Sequence, residues 1–477
     1  MKELFVRARL RLVSKRLVPQ DVQAVLRRLW LHRHQAFIVG GCVRDMVLGK
    51  RPQDWDVTTD ALPDEVARFF ERTVPSGVKH GTVTVLTPGP AIEVTTYRVD
   101  AGYSDFRHPD QVVFTRSLCE DLARRDLTIN AMALGPHGDL VDPFNGLRDL
   151  ERKVVRAVGD PAQRFREDAL RMMRAVRFSA QLGMTIDGPT LAAVKDQAEL
   201  LKHVSAERIR DEFSKILLSP SPSVALEILR QTGLLALFLP ELIEGVGFEQ
   251  NVHHAFTVWE HTLIAVDAIP PELHLRLTAL LHDVAKPRTL TIIDGERHFY
   301  DHENLGAAMA RAILRRLRYD NETVAKVTHL IRNHMALHLS PQMKDSAVRR
   351  LVARVGLDNI RDLLELRRAD RIGSGKKPGP VSHGTLRLLA RIEQVLKEDT
   401  AFGLKDLAID GHDVMQIGGL RPGPRVGRIL KRLFEEVLED PQMNTRATLE
   451  ARVKEMVRSG EPIPTDEDES PSDDEST

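Results

Sequence analysis

Apolar residues recur at helical spacing over residues 19–34, where Val22, Val25, Leu26 and Leu29 share one face and predict a helix. The apolar run AFIV that follows ends in Gly40 and Gly41, the pattern of a short strand closed by a turn. VRDMVLG then predicts a short helix stopped at Gly49. Between about 80 and 100 the pattern changes to β-branched segments, GTVTVLT and AIEVTTYRV, which predict strands. The first 150 residues therefore read as α+β. From about residue 160 strand signals fade. EDALRMMRAVRFSAQL puts Ala169, Met172, Met173, Val176 and Ala180 on one helical face, and the chain to about 458 reads as helices broken by Gly or Pro. IGSGKKPGPVSHGTLR, 371–386, is the strongest internal linker, and GGLRPGPRVG, 418–427, punctuates the last folded region.

These signals divide the chain into a basic helical extension (1–34), an α+β head (35–160), a helical neck (161–225), a helical body (226–375), a helical tail (376–460) and an acidic terminal segment (461–477). That last segment is too polar to pack and is expected to be disordered. The net charge of zero hides this asymmetry: GEPIPTDEDESPSDDEST carries eight acidic and no basic groups, which leaves +8 on residues 1–459. A basic body with a separate acidic tail is compatible with a nucleic-acid partner. No apolar run approaches the ~20 residues of a membrane span, so no membrane association is expected. MKELFVRARLRLVSKR lacks the apolar block of a signal peptide. Two cysteines, Cys42 and Cys119, exclude a disulfide scaffold and fit a reducing cytoplasm.

The segment VGGCVRDMVLGKRPQDWDVTTDA joins a strand, a Gly-Gly turn, a basic helix start and two alternating aspartates. On a strand, Asp54 and Asp56 point to the same face. Two carboxylates so placed can bridge two Mg²⁺ ions about 3.5–4 Å apart. Gly40 and Gly41 allow close backbone approach to phosphate oxygens, and Arg44 adds positive charge. Alone, an Asp-x-Asp pair is common at surface turns and strand edges. In this order the block resembles the nucleotidyltransferase superfamily that includes DNA polymerase β, and specifically the class II tRNA nucleotidyltransferases and bacterial poly(A) polymerases.

More of that family's pattern follows. CEDLARRDLTINAMA, 119–133, resembles its second motif, which implies that Arg125 contacts the triphosphate, that Asp126 reaches the ribose and that Asn130 belongs to the same site. Read alone, the same basic triplet fits a solvated turn. VDPFNGLRDL, 141–150, also fits the family. GDPAQRFREDALRMMRAVRF supplies Glu167 and, as nucleotide-binding candidates, Asp168, Arg171, Arg174 and Arg177. On one helix Asp168 and Arg171 would lie about 60° apart and could face one ligand edge. In the family this pair reads the base: a carboxylate accepts from the exocyclic amino group of adenine or cytosine while a guanidinium donates to the ring nitrogen. Uracil and guanine present the reverse order and leave polar groups unpaired. EDxxR also fits a simple helix-surface ion pair. Glu93 reads either as the third metal carboxylate of the superfamily or as an exposed strand residue. The stretch around 97–115 matches the flexible loop that supports the switch from C to A addition in the CCA-adding branch.

WEHTL at 259–263 and LLHDVAKP at 280–287 resemble an HD phosphohydrolase domain, in which His261, His282 and Asp283 match the opening ligands. His302, His334 and Asp370 follow at suitable intervals. Imidazoles with carboxylates suit a transition metal or a metal pair that activates water. Each histidine also fits a structural role when taken singly.

The resemblance implies an α+β head of the nucleotidyltransferase, DNA polymerase β-like type, followed by an all-α neck, an HD-type body and a tail. It implies template-independent addition of CCA to the 3′ end of tRNA from CTP and ATP with Mg²⁺, and candidate tRNA-backbone contacts past residue 200 and around Arg421–Arg428. The alternatives are a poly(A) polymerase or A-only adding enzyme, and, in a different class, a non-catalytic RNA-binding HD protein.

Overall fold

A computed structural model of the chain describes residues 6–7, 10–11, 17–77, 80–102, 111–338, 344–376, 379, 381–398 and 403–459. The acidic segment 461–477 and the middle of the stretch 97–115 lie outside the described residues.

The chain forms two compact units. The first contains residues 1–248 with 271–277 and 311–324; the second contains 249–270, 278–310 and 325–477. The division falls after Phe248 rather than at 226, so the helices Pro222–Gln231 and Leu234–Phe238 belong to the first unit.

In the first unit the strands are β1 (Ala36–Val39), β2 (Asp56–Thr59), β3 (Thr73–Gly77), β4 (Thr82–Val85), β5 (Ile92–Thr96), β6 (Arg98–Ala101), β7 (Gln111–Phe114), β8 (Ala133–Leu134) and β9 (Leu140–Val141). Seven of them form one mixed sheet in the order β3-β4-β5-β2-β1-β8-β9, while β6 and β7 pair as a separate hairpin. The helix Gln20–Leu31 buries Val22, Val25, Leu26 and Leu29, and these residues join Ile38, Val57, Val83 and Val94 of the sheet in one core. One further pair is short: β10 (Val154–Val155) runs parallel to β11 (Thr185–Ile186).

The helix expected from Glu167 onward is two helices, Pro161–Glu167 and Leu170–Leu182. Asp168 sits at the break in an extended conformation, φ −146°, and its Oδ1 accepts from the Leu170 N–H at 3.1 Å. This is the local side-chain bond by which Asp competes with helix continuation. Asp168 and Arg171 are therefore not related by helical geometry, which corrects the angular argument from sequence.

The second unit is mainly helical. Val258–Ala268, opened by a Thr257/Glu260 capping box, packs against the long helix Leu357–Gly373. A tail core gathers Val414, Ile429, Leu433, Leu449 and Val453. The expectation of helices alone is corrected here by an antiparallel hairpin, β12 (Leu290–Ile293) with β13 (Glu296–Phe299). Its β-branched residues meet at Asp294 and Gly295, both at positive φ (51° and 81°), the turn chemistry that suits a two-residue hairpin. No helix among the described residues is long and apolar enough to cross a membrane.

Candidate active site and histidine cluster

Strand β2 presents the metal candidates at its start. Trp55 is buried in the core, Asp56 is half-buried, and Asp54 is exposed in the bend just before the strand. The strand thus begins two residues later than the same-face argument assumed, at Asp56 rather than Asp54. Strand β5 runs parallel beside it with Glu93 directly opposite Asp56. Burial raises the Asp56 carboxyl above its usual range, Arg125 opposes that shift, and the charges of Glu93 and Asp54 add to it. Glu93 and Asp54 thus place negative charge beside the half-buried Asp56, and carboxylate oxygens are the ligands a hard divalent cation such as Mg²⁺ takes.

Gly40 closes the same pocket. It lies at φ 84°, and a Cβ there would come within 3.2 Å of Arg125 Nη1 and 3.7 Å of Asp56 Oδ2. The positive φ favours glycine, and a Cβ would also press on the Arg125 guanidinium. Its own N–H is already donated to Met132 O at 3.2 Å. A Cβ at Gly41 would make only ordinary contact with the Arg44 guanidinium. A cavity of about 240 Å³ here is lined by Asp56, Glu93, Thr82, Arg98, Arg124 and Arg125.

Behind the cavity the arginines are tied to buried carboxylates. Asp121, fully buried, accepts from Arg124 Nη2 at 2.7 Å and Thr58 Oγ1 at 3.1 Å, and lies 3.5 Å from Arg125 Nη2. Burial raises its carboxyl, but Arg124 and Arg125 outweigh this and hold it below the usual range. Asp126 accepts at Oδ1 from Leu127 N and Asn130 Nδ2, and at Oδ2 from Arg174 at 2.6 and 2.7 Å. Burial opposes ionisation there, yet Arg174 dominates and the carboxyl falls to about 2. Arg44 donates to Asn130 Oδ1 at 2.7 Å and to Asp45, and Arg177 is paired with Glu212 at 2.6 Å. The guanidinium carbons of Arg44, Arg174 and Arg177 lie 4.8, 5.8 and 4.0 Å from the centre of the Phe178 ring. Arg44, Asp126, Asn130, Arg174 and Arg177 thus form an internal polar frame whose charges are already paired. The expected ribose contact of Asp126 meets a carboxylate with both oxygens engaged.

Asp168 and Arg171 have different partners from those the sequence suggested. Asp168 Oδ2 accepts from Arg208 Nη2 at 2.9 Å, whereas Arg171 is held by Glu167 at 2.6 Å and by the Arg124 carbonyl at 3.0 Å. Two buried guanidinium nitrogens, Arg125 Nε and Arg208 Nη1, have no hydrogen-bond partner among the described residues. Asp121, Arg124, Arg208 and Glu212 were not singled out from sequence. The text DLARRD carries the first two, but Arg208 and Glu212 lie in an ordinary-looking amphipathic helix, Ala206–Leu217.

In the second unit all six candidate ligands meet. His261 Nε2 and His282 Nε2 are 3.2 Å apart, and His302 Nε2 and His334 Nε2 are 3.1 Å apart. Asp283 Oδ2 lies 3.3 and 3.2 Å from His261 and His282, its Oδ1 lies 3.7 Å from His302, and Asp370 lies 3.5 Å from His261. His282, His302 and His334 direct Nδ1 at the carbonyls of Ala279, Phe299 and Ile331, which leaves Nε2 of each aimed inward. His334 is pushed down to about 3 by burial and by the charges of His282 and His302, so its imidazole is neutral. Inward-facing imidazole nitrogens around carboxylates fit a bound cation between them. Lys286, three residues after Asp283, reaches Asp283 Oδ2 at 2.7 Å and was not foreseen.

The head fold, with Asp56 and Glu93 on parallel strands and a Gly-Gly turn over them, defines a nucleotidyltransferase. Residues 36–156 match the Poly A polymerase head domain, 183–245 the probable RNA and SrmB-binding site of polymerase A, and 298–453 the putative tRNA nucleotidyltransferase domain 2. The CCA-adding enzyme of Limosilactobacillus reuteri is 33% identical over 92% of this chain and 98% of its own length, and that of Levilactobacillus brevis 37% over 88% and 94%. The crystal structure of the Bacillus stearothermophilus CCA-adding enzyme in complex with CTP superposes with a TM-score of 0.71 at 30% identity, covering 93% of this chain and 98% of that one. The chain belongs to the CCA-adding enzyme family of tRNA nucleotidyltransferases.

Proposed function

We propose that this protein adds cytidine and adenosine in turn to the 3′ end of tRNA from CTP and ATP, without a template, through attack of the tRNA 3′-hydroxyl on the nucleotide α-phosphate and release of pyrophosphate. The observation that carries the reading is the half-buried Asp56 facing Glu93 across two parallel strands, with Arg125 held over Gly40 beside it. Asp54, Asp56 and Glu93 would hold Mg²⁺, which supplies positive charge to the attacking hydroxyl and the triphosphate. Arg125 binds the triphosphate with a donor, its Nε, that has no hydrogen-bond partner among the described residues. Asp168 accepts from the exocyclic amino group of C or A, and Arg171, fixed by Glu167 and the Arg124 carbonyl, donates beside it. The buried ion pairs behind these groups fix the donors before substrate arrives, so little reorganisation accompanies the reaction. Basic residues of the neck and of Arg421–Arg428 position the tRNA backbone without reading its sequence. The test is to offer transcripts ending before the first C, the second C or the terminal A, with CTP, ATP, both, or all four nucleotides. Growth that stops at CCA supports the reading; A-only or unbounded growth refutes it.

A second activity is favoured by the inward-facing Nε2 atoms of the second unit. His261, His282, Asp283, His302, His334 and Asp370 would hold a transition metal of the Mn, Fe or Ni type and hydrolyse phosphoesters such as 2′,3′-cyclic phosphates at tRNA-like ends.

A further inference from the structure

Arg125 stands between two anions. Its Nη1 lies against the same point over Gly40 as Asp56 Oδ2, at 3.2 and 3.7 Å, yet no ion pair joins Arg125 to Asp56 among the described residues. The contact that the guanidinium does make is to Asp121, on the other side. Asp121 is well suited to hold it there. It is wholly buried, and it is anchored by Thr58, which lies two residues along β2 from Asp56, so the spacing between the two carboxylates is set by one strand. Arg124 shares Asp121 but has a second partner, Asp100, at 3.6 Å. Among the described residues Arg125 has no second ion pair, and Asp56 and Glu93 line the same cavity with it.

We infer that Asp121 is a positioning residue that holds the Arg125 guanidinium away from Asp56 and so keeps Asp56 open to a divalent cation. The inference rests on the reading of Asp56 as a metal ligand. Without the Asp121 charge, the Asp56 carboxylate, whose charge Arg125 already feels, is open to the guanidinium, and an incoming cation would have to displace it there. Asp121 thus serves the reaction without touching substrate: it reserves one carboxylate for the metal and leaves one arginine for the triphosphate.

The test is a Mn²⁺ binding titration of the full-length protein, read by electron paramagnetic resonance, on wild type, Asp121→Asn, Arg125→Gln, the double variant and Asp56→Asn. The histidine cluster is the same in all five, so its binding is common to them. Asp121→Asn is expected to weaken the head site by about tenfold, the scale of one guanidinium competing at close range. The double variant is expected to bind Mn²⁺ as wild type does while nucleotide addition stays low, because the competitor and the triphosphate ligand have both gone. Rescue of binding without rescue of activity is a pattern that simple loss of folding does not give. Thr58→Val removes one anchor of Asp121 at constant volume and is expected to shift affinity in the same direction by about twofold. Unchanged affinity in both Asp121→Asn and Thr58→Val overturns the inference, as does equal weakening in Asp121→Asn and the double variant. If Asp56→Asn binds as wild type does, the metal reading itself falls.

Discussion

The base-reading role of Asp168 can be tested by removing its charge alone. Asp168→Asn keeps the volume and leaves one oxygen, but that oxygen cannot serve both the Leu170 N–H at 3.1 Å and Arg208 Nη2 at 2.9 Å. Whichever bond the oxygen keeps, an amide NH₂ faces the other donor, and the acceptor offered to cytosine or adenine is lost. A hydrogen bond to a charged group contributes ~1.5–3 kcal/mol, which corresponds to about a 10- to 150-fold change in kcat/KM. The expected result is that preference for CTP and ATP over UTP falls by that factor, partly because the amide now donates to the O4 of uracil. Single-turnover incorporation of each nucleotide on labelled tRNA measures the ratio directly. Arg171 is held by Glu167 and the Arg124 carbonyl rather than by Asp168, so its position should survive the substitution. Unchanged discrimination with addition still measurable would falsify the assignment and move base reading elsewhere in the neck.

Asp56→Asn should reduce nucleotide addition by more than about a thousandfold while tRNA binding in a filter assay changes little; activity within tenfold of wild type contradicts the metal role. Asp126 is depressed from 3.8 to about 2 in the folded state, so its contribution of about 2 kcal/mol is present above its unfolded value and is lost as pH falls through the folded one. Roughly half should be gone by about pH 3, and urea midpoints should converge there between wild type and Asp126→Asn; parallel pH curves would rule this out. Asp283→Ala should remove bound transition metal, by elemental analysis, and any cyclic phosphodiesterase activity while sparing CCA addition. Loss of CCA addition in a folded Asp283→Ala protein, or no metal in the wild type under any loading condition, would sink the separate centre.

The residues that could be read from sequence are those whose chemistry is fixed by short spacing. The Gly-Gly turn, Asp56 on its strand and the His282-Asp283 pair each need only a few neighbours in the chain, and β5 brings Glu93 into register because both strands are short, β-branched and parallel. What could not be read depends on which distant partner wins a competition. Asp168 looked like part of a helix because its neighbours favour one, but its carboxylate satisfies Leu170 N–H and Arg208, and the chain breaks there. Arg171 took Glu167 four residues earlier, and Asp126, 48 residues upstream, took Arg174 of the helix Leu170–Leu182. The β12–β13 hairpin was missed although Asp294-Gly295 carries its turn signal, because the flanking helices dominated the pattern.

The same competition explains where a nucleotide would lie. Taking a guanidinium out of water is costly unless a carboxylate receives it, so buried arginines are normally consumed by their partners. In the first unit Arg44, Arg124, Arg171, Arg174 and Arg177 follow that rule, each engaged by Asp45, Asp121, Glu167, Asp126 or Glu212. Arg125 and Arg208 follow it only in part, each keeping one buried nitrogen with no partner among the described residues. The first of these lies beside Asp56 and the second beside Asp168. A ligand that is anionic at one end and carries hydrogen-bonding edges at the other satisfies both, which is the chemical description of a nucleoside triphosphate. On the proposed function, these two donors would face the triphosphate and the base, while the paired arginines are held by their own carboxylates.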